Sequence, residues 1–172
     1  MRELFRFPGG VHPEEHKAES SSRPIHSAFI PRILVIPLRQ HIGQPAKPVV
    51  QVGDRVLKGQ IIAEADGYVS TAIHASSSGV VTAIGTANIP HPSGLPDTCI
   101  TIETDGKDEW ISRTPLDWAN MDRAALRGYV RDMGLAGLGG AVFPSSIKLD
   151  AGSKNEIHTL ILNGGECEPW IT

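Results

Sequence analysis

A chain of 172 residues suffices for one ordinary domain, or for a small domain plus part of another. It is 40% hydrophobic and 20% charged with a formal net charge of -3, a weakly acidic balance that argues against nucleic-acid binding. Aromatic residues make up only 5%, too few for base-stacking platforms, and no apolar run approaches the roughly 18 residues of a membrane span.

The opening Met1 to Gly10 lacks the apolar core of a signal peptide, which points to a cytoplasmic protein. Residues 1–32 are rich in Pro, His, Glu and Ser and read as an irregular arm, ordered where Leu4, Phe5 and Phe7 dock. Within it, His12-Pro13-Glu14-Glu15-His16 places proline where a zinc-protease helix needs glutamate, so no metal site is assigned. Cys99 and Cys167 lie far apart and match no metal-binding spacing.

Residues 33–112 change character to short β-branched runs separated by turn residues. Strands are expected at Ile33–Leu38, Val49–Val52, Val56–Leu57, Gln60–Ala63, Tyr68–Ile73 and Gly79–Ile84, with turns at Gly53-Asp54 and Lys58-Gly59. This spacing indicates an all-β barrel or sandwich. The run from Val52 to Ala63, then His74-Ala75 and Ser78-Gly79-Val80-Val81, resembles the barrel-sandwich hybrid of lipoyl and biotinyl carrier domains. Such carriers hold their swinging cofactor on a lysine at a hairpin tip. The corresponding tip here, Glu64-Ala65-Asp66-Gly67-Tyr68, has none, and Lys58 lies on a different turn. The expectation is a structural relative without carrier chemistry.

After Ile102, the polar stretch from Glu103 to Glu109 reads as a boundary or exposed loop. Residues 113–172 then begin a mixed α/β domain. Thr114-Pro115 reads as a cap and first helical turn. Asn120 is the expected cap of a second helix carrying Leu126, Val130 and Met133, ended by Gly134.

The chemistry-bearing stretch follows. Glycines 137, 139 and 140 bring backbone N–H groups near an incoming ligand without Cβ obstruction. Pro144 fits the first turn of a short helix whose amino end favours a phosphate, and Lys148 adds a full positive charge one turn on. The pattern is not a dinucleotide fingerprint, because Val142 stands where the third glycine would be. No Gly-Lys-Ser/Thr follows to make a P-loop. A plain glycine-rich connection between helices is the competing reading.

Thr159 to Leu162 reads as a strand ending in Asn163-Gly164-Gly165-Glu166-Cys167-Glu168-Pro169. Ligands in open α/β sheets sit at the carboxyl ends of strands. Asn163 offers donors and an acceptor to a heterocycle edge, whereas Glu166 and Glu168 suit hydroxyls or a carboxamide rather than phosphate.

Together, the loop with Lys148 and the segment from Asn163 to Pro169 resemble the flavin-binding subunit of respiratory complex I. They resemble still more closely the C subunit of the Rnf electron-transport complex, which the opening Phe7-Pro8-Gly9-Gly10-Val11-His12-Pro13 and the lysine-free hybrid module also match. The resemblance runs over nearly the whole chain. It implies an α+β architecture: a barrel-sandwich hybrid followed by the start of an α/β flavin- and NADH-binding domain. It implies that the full-length protein is an NADH-dependent oxidoreductase subunit passing electrons through FMN to two 4Fe–4S clusters. Gly137, Gly139, Gly140 and Lys148 inherit the flavin phosphate, Asn163 and Glu166 face the flavin, and Phe143 and Glu168 lie near the nicotinamide nucleotide. The flavin carries the redox chemistry, so no side chain is assigned as acid, base or nucleophile.

The resemblance further implies partner subunits in a membrane-bound complex and a peripheral place on the cytoplasmic face of the inner membrane. Two cysteines cannot ligate a four-cysteine cluster, and the loops completing the flavin pocket would follow Thr172. The expectation is therefore a truncated chain, inactive alone. The alternatives are a cofactor-free scaffold or carrier module, and a quinone-reductase relative that kept the fold but lost the flavin.

Overall fold

The computed structural model describes residues 9–10, 14–150, 157–159 and 161. The chain divides into two compact units, one formed by Met1–Ala28 with Ile157–Thr172, the other by Phe29–Glu156. In the first, the described regular element is a single helical stretch, α1 (Lys17–Ser21), beside which His16 Nδ1 lies 3.0 Å from Glu19 Oε1. Leu4, Phe5, Phe7 and His12, named above for docking and for the metal pattern, lie outside the described residues.

The Phe29–Glu156 unit holds strands β1 (Ile33–Pro37), β2 (Lys47–Pro48), β3 (Arg55–Val56), β4 (Ile61–Glu64), β5 (Ile73–His74), β6 (Gly79–Asn88) and β7 (Pro96–Thr104). They form two antiparallel sheets, ordered β1-β7-β6-β3 and β2-β4-β5. Ile36, Val56, Ile62, Ile73, Val81, Ile100 and Ile102 from both sheets make one buried core. Burial of this β-branched set drives the fold, because each such side chain contributes about 1.5–3 kcal/mol. The barrel-sandwich hybrid is thus the architecture observed.

Three strands differ from expectation. Val49–Val52 is not a strand: Val49 N–H does donate to Ile62 O at 3.0 Å, but Gln51 N–H is taken by the Asp54 carboxylate at 2.8 Å, which closes the turn early. The paired residues lie just before it, in β2. Of Tyr68–Ile73, only Ile73 joins a strand, because the polar groups of Ser70 and Thr71 are used in contacts outside the ladder. The third is β7, absent from the expected strands, although it lies inside its sheet and pairs β1 on one side and β6 on the other. Its Cys99-Ile100-Thr101-Ile102 run alternates weakly, since Cys99 is buried as well as Ile100 and Ile102. Gly79 explains how β6 comes so close to β7: a Cβ there would strike Glu103 O.

The stretch 103–109 is not a free boundary loop. Ser78 Oγ donates to Asp105 at 2.7 Å, Ser77 Oγ to Asp108 at 2.8 Å, and Lys58 Nζ reaches Asp108 at 2.5 Å. These partners hold both carboxyls below the usual carboxylate range: Asp105 chiefly through Ser78, Asp108 chiefly through Lys58. Trp110 then packs beside Gly59, with Lys58 Nζ 5.0 Å and Arg113 Cζ 4.2 Å from its ring centre.

No helix forms at Thr114-Pro115. A short 3-10 turn at Trp118–Asn120 follows instead, in which Asn120 Nδ2 donates to Asp117 at 2.7 Å. Asn120 is thereby engaged, and Asp122 caps α2 (Arg123–Asp132) by accepting from Ala125 N–H at 2.7 Å. Gly134, with φ +69°, ends that helix as expected.

Candidate functional site

The candidate site is the loop from Gly134 to Pro144, between α2 and α3 (Ser145–Lys148). Its two limbs run antiparallel and are closed by Ser145 N–H to Leu135 O and Gly137 N–H to Phe143 O, both 2.9 Å. A third 2.9 Å bond, Val142 N–H to Gly139 O, tightens the tip. Pro144 is buried and stands immediately before α3, one position earlier than the first helical turn.

The backbone N–H groups of Leu138, Gly139, Gly140 and Ala141 donate to no other described residue. A Cβ added at Gly139 or Gly140 would meet nothing within 4 Å, so the loop can be approached closely from those positions. At Gly137, a Cβ would fall 2.9 Å from Lys148 Nζ. The ammonium thus lies close over the loop at this position. Lys148 makes no ion pair among the described residues, and its Nζ stands 5.9 Å from the Phe143 ring centre. Asp150, just beyond, is held by Arg127 at 2.6 Å. N–H donors without an acceptor and a lysine without an ion pair among the described residues, with an unobstructed approach, fit a phosphate group.

Val142 departs from this permissive pattern. Its φ is +43°, a left-handed conformation that a β-branched side chain rarely adopts. Its carbonyl accepts from Ile42 N–H at 3.3 Å, a contact from the barrel.

The loop is also tied to the barrel at its start. Arg131, in the last turn of α2, donates from Nε to Ser70 O at 3.2 Å and from its terminal nitrogen to Gly67 O. In return, Thr71 Oγ1 and Ala72 N–H donate to Arg131 O at 2.6 and 3.2 Å. The hairpin tip that would carry a swinging cofactor in a carrier domain is therefore fastened to α2. Lys58, the nearest lysine in sequence to that motif, is committed to Asp108.

Of the expected site residues, Gly137, Phe143 and Lys148 are gathered by the structure, with Gly139 and Gly140 at the tip of the same loop. Asn163, Glu166 and Glu168 lie outside the described residues, as does Cys167. Sequence reading misses His41 and Arg131. Arg131 reads as an ordinary basic residue at a helix end, and no local pattern marks His41. Among the described residues, no helix is long and apolar enough to cross a membrane, and no cluster of three metal-ligating side chains occurs.

Residues 5–107 match the RnfC barrel sandwich hybrid domain, and residues 130–172 match the Nuo51 FMN-binding domain. The chain is 46% identical over 171 residues to the C subunit of the proton-translocating ferredoxin:NAD(+) oxidoreductase complex of Clostridium ljungdahlii, covering 98% of this chain and 37% of that protein. It is 47% identical over 173 residues to the C subunit of the ion-translocating oxidoreductase complex of Pseudomonas aeruginosa, covering 100% of this chain and 22% of that protein. For the Rhodobacter capsulatus protein of the same name, identity is 46% over 169 residues, covering 98% and 33%. The chain thus spans between a fifth and two fifths of the length of these relatives. With the barrel model matching more than half of its residues, the chain belongs to the RnfC family.

Proposed function

We propose that these 172 residues belong to an electron-transfer subunit in which the glycine loop cradles the phosphate of FMN. The observation that carries this reading is the loop's chemistry: four N–H groups with no acceptor among the described residues, Lys148 close to Gly137 of the same loop, and open approach at Gly139 and Gly140. When bound, FMN supplies the exchange between a hydride's electron pair and single electrons. The chain's own part is to bind and orient. The N–H groups of Leu138 to Ala141 would donate to the phosphate and the Lys148 ammonium would offset its charge, while Phe143 would border the nicotinamide nucleotide. Asn163 and Glu166 serve as contacts to the flavin, and Glu168 as a contact to NADH. No residue is asked to donate or abstract a proton.

In the same reading, the full-length subunit takes electrons from NADH and passes them to iron–sulfur clusters whose ligands lie outside this stretch of sequence. It works at the cytoplasmic face of the inner membrane, bound there through other subunits of an ion-translocating complex. The family membership and the relatives' names support a place in an ion-translocating oxidoreductase complex.

The test is titration of FMN into the full-length subunit and its Lys148→Ala variant, followed by flavin fluorescence. Loss of a charge-assisted contact should weaken binding roughly tenfold or more. Equal affinities would remove Lys148 from the site.

A further inference from the structure

We infer that His41 is a positioning residue of the glycine loop: through Ile42 it braces Val142 in its left-handed conformation. The inference rests on the flavin reading of that loop.

His41 is buried, at 6% exposure, and both ring nitrogens are used. Thr71 N–H donates to Nε2 at 3.2 Å, which leaves the ring proton on Nδ1, 3.0 Å from Ile42 O. One imidazole thus pins the backbone of Thr71 to the backbone of Ile42. The same short segment is fixed again further on. Gln44 N–H donates to Val69 O at 3.0 Å, and Ser70 Oγ donates to Gln44 O at 3.1 Å. Gly43 lies so close to Val69 that a Cβ would strike the Val69 carbonyl. Residues 41–44 are therefore wedged against residues 69–71, with little freedom to shift.

From this wedge, Ile42 N–H reaches Val142 O at 3.3 Å. Residues 69–72 also hold the last turn of α2, just before the loop, through Thr71 and Ala72 on Arg131 O. A Cβ at Gly134 would meet Ala72 O at 2.6 Å, so the loop's first residue sits directly on that stretch. The barrel thereby grips the loop before and after its glycines. A β-branched residue at φ +43° persists only where its surroundings over-determine it. Ile42, in the wedge, donates to Val142 from outside the loop, and His41 is one of the buried polar groups, with Ser70, that hold the wedge.

A specific dependence follows. Glycine adopts the left-handed region without strain, so the loop should need His41 only while residue 142 is valine. The experiment compares the full-length wild-type subunit with His41→Ala, Val142→Gly, the double variant, and His41→Gln, which keeps an acceptor near Nε2. Hydrogen exchange over residues 136–143 is measured without ligand, and FMN affinity by fluorescence quenching. In His41→Ala, exchange in the loop should rise and FMN binding weaken, each roughly tenfold, while His41→Gln, which keeps one of the two bonds, should fall between that variant and wild type. In the Val142→Gly background, His41→Ala should change either quantity by less than about twofold. Equal loop exchange in wild type and His41→Ala would overturn the inference, as would an undiminished effect beside Gly at 142. Should His41→Ala fail to fold, His41→Asn carries the same comparison, since it keeps a donor near Nδ1 and loses the Nε2 acceptor. If wild type itself binds no FMN, the flavin reading fails. The exchange pattern still decides whether the brace exists.

Discussion

The Arg131 guanidinium donates to the carbonyl oxygen of Gly67, joining the last turn of α2 to the tip of a barrel hairpin. A second bond from its Nε to Ser70 O fixes the orientation of the planar fork. These bonds make the barrel a mount for the start of the glycine loop.

Arg131→Ala should therefore destabilise the Phe29–Glu156 unit by about 2 kcal/mol, the range for hydrogen bonds to a charged group. Arg131→Lys should recover only part, because an ammonium cannot reproduce the two-pronged geometry. A urea titration followed by tryptophan fluorescence checks both. An unchanged midpoint for Arg131→Ala would show that the clamp contributes nothing.

A carrier role is open to direct test. Asp66→Lys places a lysine on the tip, yet Asp66 N–H is bonded to Ser70 Oγ at 3.0 Å and Gly67 is held by Arg131. The variant should remain unmodified when incubated with biotin or lipoate ligase, as read by intact mass. Stoichiometric modification would mean that the tip is free enough to serve as a carrier.

Two glycines on β6 should respond oppositely to alanine. At Gly79 a new Cβ would strike Glu103 O of β7, whereas at Gly85 it would meet nothing within 4 Å. Gly79→Ala should cost about 1–3 kcal/mol by overpacking. Gly85→Ala should be neutral or stabilising, by up to about 1 kcal/mol. Thermal denaturation of the two variants side by side settles the contrast.

Acid should loosen the 103–110 stretch. Asp105 and Asp108 are shifted below the ordinary carboxylate range, by the Ser78 hydroxyl and the Lys58 ammonium respectively. A depressed folded-state value means that the stabilisation is fully present above the unfolded-state pKa and is lost as pH falls through the folded-state one. Stability should be flat with respect to these groups near neutrality and decline below the normal carboxylate range. Asp108→Asn should lower stability near neutrality and flatten the acid decline, in denaturant midpoints measured across that range. An unaltered acid slope would remove Asp108 from the account.

His74, a base rather than an acid, is also pushed below its ordinary value, by burial that outweighs the backbone hydrogen bond and charge of Asp132. Its neutral form is the one the fold favours, so it joins the two aspartates in favouring neutral over acidic conditions.

Much of the barrel is legible in the residues. The Gly53-Asp54 turn and the buried Ile36, Ile62 and Val81 follow from side-chain type and spacing, and the structure holds each of them. The helix stop at Gly134 and the placing of Lys148 by the glycine loop are equally readable. Less legible is β7, because buried Cys99 blurs its alternation. The α2 cap lies two residues beyond the expected one, since Asn120 and Asp122 are both good caps. Only the 3-10 turn that engages Asn120 with Asp117 chooses between them.

By itself, then, the sequence determined the class of barrel, the glycine loop and the family, because turn chemistry, β-branched burial and motif spacing are local properties. Tertiary structure alone decided how the loop is held. Arg131 meets Gly67 across 64 residues, and Thr71 meets His41 across 30. Neither pairing leaves a local pattern, because both run to backbone groups, which every residue carries.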